Sequence, residues 1–260
     1  MSSNSYMFRA RTTEGFLFKV LAELLQNNIK SCCLNLSDEG ITIRMTDNLM
    51  KVLINIRLES DKFNVYKFNF KEKKIIGLNL NHFYRMLKSV KKKDTVEIFI
   101  EDENKFDFGI KVIPKDNTRV TTSFIKIQNI QNIQIPIPQG YDKSIIISSG
   151  EFHKMIKDMI QIGSIIEINR TENTITFNCM SEGVFSRSVT FGEDDEDNNK
   201  NIVFKDQYNT DQLNKIIKIS GLSNKLYICT KSGDGMPILF KTNIGSIGQI
   251  DLFIKNNKEE

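Results

Sequence analysis

The chain has 260 residues, 40% of them hydrophobic and 26% charged, with a formal net charge of +4. That length holds either one large domain or two of ordinary size, each able to bury a core. The mild basicity is too weak for a protein that coats nucleic acid indiscriminately, but it leaves room for a localised cationic patch facing an anion.

The opening residues, Met1 to Tyr6, are polar and read as a flexible tail with no apolar core of a signal peptide. No apolar run approaches the roughly 18 residues of a membrane span, so no membrane partner is expected. Cys32, Cys33, Cys179 and Cys229 lack zinc-type spacing and read as buried, reduced thiols of an intracellular protein.

Taken in chain order, helical and strand patterns alternate in a repeating unit. Leu17 to Ala22 is a first, weak helix. Ser31 to Leu36 and Ile41 to Met45 flank a tight turn at Asp38-Glu39-Gly40, and Val52 to Leu58 follows as a third strand. The second helix carries Phe83-Tyr84-Arg85-Met86-Leu87-Lys88. Strands at Thr95 to Ile100 and Phe106 to Ile113 come next, joined by a turn at Glu101 to Lys105, with an edge strand at Val120 to Ile125.

From Ile127 to Gly140 periodicity stops, and Pro136 and Pro138 cannot donate to a sheet ladder. This stretch is expected to run over the surface as an extended strap. Beyond it the pattern restarts with Phe152-His153-Lys154-Met155-Ile156-Lys157. Strands follow at Ile165 to Asn169, Thr174 to Cys179 and Phe185 to Phe191, with a second edge at Val184 to Thr190. Glu193 to Asp197 is five adjacent acids and reads as a solvated loop. The last copy has the helix Leu213-Asn214-Lys215-Ile216-Ile217-Lys218. Its strands are Lys225 to Thr230, Ile238 to Thr242 and Ile247 to Ile254, with a turn at Ser232 to Gly235.

The unit is a strand, a helix and about three antiparallel strands, used four times, which predicts an α+β fold of two similar domains. Residues 1–127 form the first, 128–140 the connecting strap, 141–254 the second and 255–260 a C-terminal tail. At about 100° per residue, Phe83, Met86, Leu87 and Val90 gather on one helix face, as do Phe152, Met155, Ile156 and Met159. Arg85 and Lys88, Lys154 and Lys157, and Lys215 and Lys218 then project from the opposite face, in one register. Lys19 is their counterpart in the weak copy. A single such stripe keeps a helix wet; its repetition points to an extended anion.

Nothing else suggests chemistry. His82 and His153 have no serine, cysteine or acid at triad-like spacing. Gly233-Asp234-Gly235 lacks the helix and lysine of a phosphate cradle, and the acidic run lacks the alternation and central glycine of a calcium loop. A nuclease would need carboxylates holding metal ions against its nucleic acid, whereas the repeated helix face is basic. No enzyme, cofactor or metal is therefore expected. Lys91-Lys92-Lys93 follows a helix end, where cations suit the dipole, and could also touch DNA or an import receptor.

Several ordered segments resemble the DNA sliding clamps of the proliferating cell nuclear antigen type. They are Phe8-Arg9-Ala10-Arg11, the cysteine-bearing strand before Ser37-Asp38-Glu39-Gly40-Ile41, Ser149-Gly150-Glu151-Phe152 with Ile162-Gly163, and Met236-Pro237-Ile238. The resemblance runs from about Met7 to Ile254.

It implies a ring of three identical subunits whose helices line a hole for duplex DNA, read without regard to sequence. Arg11, Lys19, Arg85, Lys88, Lys154, Lys157, Lys215 and Lys218 would face phosphates. Val120, Thr122 and Phe124 on one edge and Phe185, Arg187 and Val189 on the other would join subunits. A hydrophobic pocket under the strap and beside the C-terminal strand, formed by Met50, Lys51, Ile130, Ile133, Pro237 and Phe253, would take short peptides from polymerases, nucleases and ligases. A clamp loader, replication and repair proteins, and a nuclear or viral replication compartment are implied with it.

Two departures bear on partner choice: Thr46-Asp47 stands where the family commonly has Met-Asp, and Lys255-Asn256 replaces its usual Ala-Pro. A subunit of a heterotrimeric checkpoint-type clamp and a monomeric processivity factor are the alternatives.

Overall fold

The helices start where a short polar side chain ends the preceding strand. Asn79, Ser148 and Asn209 each accept a backbone N–H from the first turn of a helix, at His82, Glu151 and Asp211 respectively. Such a bond satisfies a donor that the helix itself leaves orphaned, and is worth about 1 kcal/mol. The first helix lacks this cap, in keeping with its weaker pattern.

The computed structural model describes residues 5–181, 183–192, 202–231 and 236–257. The expected acidic loop, the turn at 232–235, and the outermost residues of both expected tails lie outside the described residues. Tyr6, expected in the tail, instead opens a strand. Within the tail, Ser5 is described, and its carbonyl accepts the Asp102 N–H at 2.9 Å.

In chain order the elements are β1 (Tyr6–Thr12), α1 (Gly15–Asn28), β2 (Ser31–Leu36), β3 (Gly40–Thr46), β4 (Val52–Glu59), β5 (Val65–Phe68), β6 (Lys74–Asn79), α2 (Leu80–Leu87), β7 (Thr95–Glu101), β8 (Asp107–Ile113) and β9 (Thr121–Lys126). There follow β10 (Ile145–Ser148), α3 (Ser149–Met159), β11 (Ile165–Arg170), β12 (Ile175–Ser181), β13 (Phe185–Phe191), β14 (Phe204–Asn209), α4 (Thr210–Ile216), a 3-10 turn (Ile217–Gly221), β15 (Lys225–Cys229), β16 (Ile238–Ile244) and β17 (Gly248–Ile254).

Two compact units divide the chain. The first takes Met1–Met45, Ile54–Ile135 and Asn243–Ile250, and the second Thr46–Leu53, Pro136–Thr242 and Asp251–Glu260. The division falls inside the strap, and two short segments join the unit that a linear reading would not give them. Hydrogen bonds decide this: Glu59 N–H donates to the Ile247 carbonyl within the first unit, and Lys255 N–H to that of Lys51 within the second.

In the first unit a sheet runs β5-β1-β7-β8-β9, and β4-β3-β2-β6 lie side by side in another. The helices α1 and α2 pack on each other, and α1 also packs on β7. In the second unit one sheet runs β13-β12-β11-β14, and β10-β15-β16-β17 are neighbours in order. There α3 packs on α4 and the 3-10 turn.

The repeat survives in the cores. Phe83 of α2 meets Phe108 of β8 edge-on at 6.3 Å between ring centres, and Phe152 of α3 meets Phe177 of β12 at 6.2 Å. All four rings are buried, and each contributes on the order of 1.5–3 kcal/mol through the apolar surface removed from water.

Three details of the helical pattern need correction. In α1 the buried residues are Gly15, Phe18, Val20, Leu21, Ala22, Leu24 and Leu25, so the positions after Leu17 on the expected face are buried, but Leu17 itself is half-buried and Phe18 beside it is buried. Met86 of α2 is 36% exposed, because Leu80, Phe83 and Leu87 already fill the buried face of this eight-residue helix. The fourth helix tightens into the 3-10 turn at Ile217, which places Lys218 beyond the α-helix.

The strap is extended and nearly free of ladder bonds. Its one bridge joins Gln128 to Gly77 of β6, with mutual backbone bonds of 3.1 and 2.8 Å. A Cβ at Gly77 would stand 2.5 Å from the Gln128 carbonyl oxygen and 2.6 Å from Ile130 Cγ1, so only glycine lets the strap come this close. Further along, the Asn132 amide donates to Asn35 Oδ1 at 3.2 Å and Arg44 Nη1 to the Ile135 carbonyl at 3.3 Å.

Candidate functional site

On α3, Lys154 and Lys157 are exposed opposite the buried Phe152, Met155, Ile156 and Met159. Lys154 Nζ lies 2.8 Å from Glu151 Oε1, one turn earlier. Lys215 is exposed on α4, and Lys218 is half-buried on the 3-10 turn.

His153 reports how these cations combine. Its Nδ1 lies 3.0 Å from the Ser220 hydroxyl, and its pKa falls below the ordinary histidine value, first through burial and then through the charges of Lys157 and Lys218. Lysines from two chain segments thus act on one point.

In the first unit Arg85 and Lys88 are exposed on α2. Two other expected members of this set, Lys19 and Arg11, contact groups of the first unit. Lys19 lies on α1 and is half-buried. Its ammonium donates to the Val90 carbonyl at 3.3 Å, and it lies 5.5 Å from the Phe16 ring centre. Arg11 lies on β1, half-buried, with Nε 3.9 Å from the buried Glu97 carboxylate, which also binds Arg9 at 2.8 Å.

The two strands expected at the edges are at the edges. β9 ends the five-stranded sheet and β13 ends the four-stranded one. Phe124 on β9 is 48% exposed and Val120 just before it 47%, while Phe185 on β13 is 52% exposed. Thr122 is exposed and Val189 half-buried. Arg187 Nη1 binds Asp158 Oδ2 of α3 at 2.7 Å. Open backbone edges bearing apolar side chains are templates for another strand.

Among the expected peptide-binding residues, Ile133 on the strap is 64% exposed and Met50 65% exposed, while Ile130 is half-buried. Met50 has a positive φ of 54°. Its turn is held by the buried Asp47, whose Oδ1 accepts the N–H groups of Lys51 at 2.8 Å and Val52 at 2.9 Å. Phe253 is only 3% exposed, its ring centre 6.0 Å from that of Tyr141. The Tyr141 hydroxyl in turn donates to the Pro237 carbonyl at 2.9 Å.

Phe253 and Pro237 are thus tied together through Tyr141, a residue that sequence reasoning missed, as it missed Leu49, which is 71% exposed beside Met50. Leu49 has a legible signal in hindsight, being apolar in a turn. Tyr141 has none beyond its place after the strap.

All four cysteines are free and buried, and burial raises their pKa values, which leaves them as protonated, inert thiols. Among the described residues no group of His, Cys, Asp and Glu side chains could hold a metal ion, and no helix is long and apolar enough to cross a membrane.

Comparison with known proteins covers the whole of this architecture. The family described as proliferating cell nuclear antigen, N-terminal domain, matches residues 7–134, and its C-terminal domain matches residues 134–257. A "Probable DNA polymerase sliding clamp 1" of Paramecium bursaria Chlorella virus 1 is 22% identical over 264 aligned residues, covering 98% of each chain. The crystal structure of Proliferating Cellular Nuclear Antigen from Entamoeba histolytica superposes with a TM-score of 0.83 at 19% identity, covering 97% of this chain and 100% of that one. Two consecutive domain matches, a full-length relative and a shared fold agree: the chain belongs to the proliferating cell nuclear antigen family of DNA sliding clamps.

Proposed function

We propose that three copies of this chain close head to tail into a ring around duplex DNA and act, without catalysis, as a processivity factor for a DNA polymerase. The observation that carries this reading is the pair of unlike open edges, β9 and β13, each with exposed apolar residues. Unlike edges pair heterologously, and such pairing makes a closed ring when the rotation per subunit permits.

Arg85, Lys88, Lys154, Lys157, Lys215 and Lys218 are assigned to the DNA face. Lysines act as point charges that pass from one phosphate to the next and read no bases. Retention then comes from closure, so each contact can be weak.

Met50, Lys51, Ile130, Ile133, Pro237 and Phe253 are assigned to docking of short peptides from a polymerase and other replication and repair proteins. Apolar side chains exposed on a strap support this assignment. A clamp loader is implied because a closed ring cannot thread onto circular DNA unaided. The place of action is the nucleus or the replication compartment of a DNA virus.

The test is sedimentation of the purified chain, followed by retention on circular and on linear DNA after loading. A homotrimer that stays on circles and runs off free ends is expected. A species that is monomeric alone, or holds open-ended DNA as durably as circles, overturns the reading.

A further inference from the structure

A cleft of about 940 Å³ opens in the first unit between the loop that follows α2 and the turn that joins β8 to β9. Lys91, Lys92 and Lys93 come from the loop, Lys115 and Arg119 from the turn, and all five side chains are exposed. A recess of this size is large enough to hold a small molecule.

Both segments are braced by bonds of their own. The buried Asp94 accepts the Lys91 N–H on Oδ2 at 2.9 Å, and its N–H donates to the Lys91 carbonyl at 3.1 Å. In the turn, Asn117 takes a positive φ of 54° and donates its N–H to the Pro114 carbonyl at 3.0 Å. Beside it, Asp116 Oδ1 accepts the Thr118 hydroxyl and N–H at 2.8 and 3.2 Å. These bonds hold the Asp116 carboxyl below the ordinary carboxylate range, and the charge of Lys91 adds to the effect. Loop and turn therefore share one electrostatic field.

Each acid at the opening is engaged with its own segment, which leaves an excess of three positive charges toward the cleft. A recess lined by one sign of charge focuses the field and raises the local concentration of the opposite ion.

We propose that this cleft binds a compact polyphosphate, a run of three or more linked phosphate groups, either as a free inorganic chain or as the tail of a nucleotide. Five cations at one opening call for an anion that packs several charges into one spot. The planar fork of Arg119 can take two phosphate oxygens at once, and the lysines act as point charges on others. Ser89 and Thr121 also line the cleft and add hydroxyls, while Val112 and Pro114 supply an apolar wall where the nucleoside of a nucleotide would rest.

A single carboxylate leaves most of this charge unmatched. Duplex DNA spreads its phosphates along an extended backbone, which suits a stripe of exposed lysines better than a recess. The proposal goes beyond the ring reading and needs no second copy of the chain, because every lining residue lies in the first unit.

Calorimetric titration of the full chain with sodium tripolyphosphate, ATP and orthophosphate, at low and at high salt, tests the assignment. Two neutralised variants accompany the parent: Lys92→Gln/Lys115→Gln/Arg119→Gln in the cleft, and Lys154→Gln/Lys157→Gln/Lys215→Gln/Lys218→Gln on the helix stripe. A melt of each without ligand checks folding. If the triple change melts early, Lys92→Gln and Lys115→Gln singly make the same comparison.

Tripolyphosphate should bind the parent once per chain, orthophosphate at least about tenfold more weakly, and salt should weaken both. The cleft variant should lose at least about tenfold in tripolyphosphate affinity, while the stripe variant keeps the parent's value. Tripolyphosphate should also raise the melting temperature of the parent and the stripe variant but not of the cleft variant, since a ligand of the folded state stabilises it. ATP binding at least as tightly as tripolyphosphate identifies a nucleotide as the occupant, and weaker ATP binding identifies the free chain. A parent without tripolyphosphate affinity, an unchanged affinity in the cleft variant, or a loss confined to the stripe variant overturns the proposal. Loss of fluorescent-duplex binding by the cleft variant, with tripolyphosphate binding unchanged, assigns these cations to DNA and overturns it as well.

Discussion

The imidazole of His153, on α3, meets the hydroxyl of Ser220, on the 3-10 turn, at 3.0 Å, and Ser220 Oγ also donates to the Ile217 carbonyl at 2.9 Å. This contact ties α3 to the segment after α4 and holds a titratable group within the field of Lys157 and Lys218. It is a built-in gauge of the local potential.

The first prediction follows from that gauge. Burial and the two lysines lower the His153 pKa; phosphates seated on Lys157 and Lys218 would reverse the sign of the neighbouring charge and raise it. Only two histidines are present, so NMR titration of the imidazole resonances resolves the pair. An upward shift at His153 on loading DNA is expected, and an unchanged value removes Lys157 and Lys218 from the DNA face. Without DNA the sign for stability is fixed as well. Between the depressed folded pKa and the ordinary value of about 6.5 the unfolded chain binds more protons at this site. The contribution from His153 is thus full above that window and is lost as pH falls through it, which a melting series for the parent and for His153→Gln measures.

A second expectation concerns the stripe. Replacing Lys154, Lys157, Lys215 and Lys218 together by alanine should weaken DNA association and flatten its dependence on salt by about 0.9 in the log–log slope for each phosphate that is no longer neutralised. Assembly should not change, because none of the four lies on β9 or β13. An unaltered slope would show that these lysines meet no phosphate.

Lys19→Ala should separate from that set. Its ammonium holds the Val90 carbonyl just beyond α2, so its removal should lower stability by up to about 1 kcal/mol and leave the salt slope of DNA binding where it was. Thermal melts and salt titrations of the same sample distinguish the two outcomes.

How much of the molecule is legible in its sequence depends on the kind of signal. The Phe-led helices are legible because Phe83 and Phe152 occupy equivalent core positions, and a buried face has to repeat at the helical period. In α1 the expected face holds at Val20, Leu21 and Leu24, which are buried, while at its start Leu17 and Phe18 are adjacent apolar residues and only packing shows that Phe18 is the more buried. The edge strands are legible from the irregular segments beside them. The strands before the helices, β6 and β14, are hard to see because Lys74–Asn79 and Phe204–Asn209 are short and mix charge with apolar residues. Asp47 holding the Met50 turn, and Tyr141 between Pro237 and Phe253, depend on tertiary geometry that no local pattern encodes.

Peptide docking divides into surface and support. Ile133→Ala removes an exposed side chain and should alter stability by no more than about 0.5 kcal/mol, while weakening a polymerase-derived peptide. Phe253→Ala empties a buried position beside Tyr141 and should cost about 3–5 kcal/mol in folding, so a fall in peptide affinity there reports a damaged unit. Peptide titration by fluorescence anisotropy alongside a melt separates these cases. Unchanged affinity in Ile133→Ala would exclude the strap from docking.

Blocking one edge at a time tests the geometry of assembly most directly. Phe124→Arg places a charge on β9 where a neighbouring strand would pack, and Phe185→Arg does the same on β13. Both positions are about half exposed, so the folded subunit should tolerate either change. In a head-to-tail ring each variant alone should be monomeric, at the 30.0 kDa of one chain, because every junction needs one β9 and one β13. Mixed in equal amounts, they should form a dimer and stop: the intact β13 of one joins the intact β9 of the other, and the two blocked edges face outward. If subunits instead joined through like edges, one variant alone would still dimerise. A mass measurement on the two variants and their mixture tells these apart, and a dimer formed by Phe124→Arg alone would rule out pairing of unlike edges.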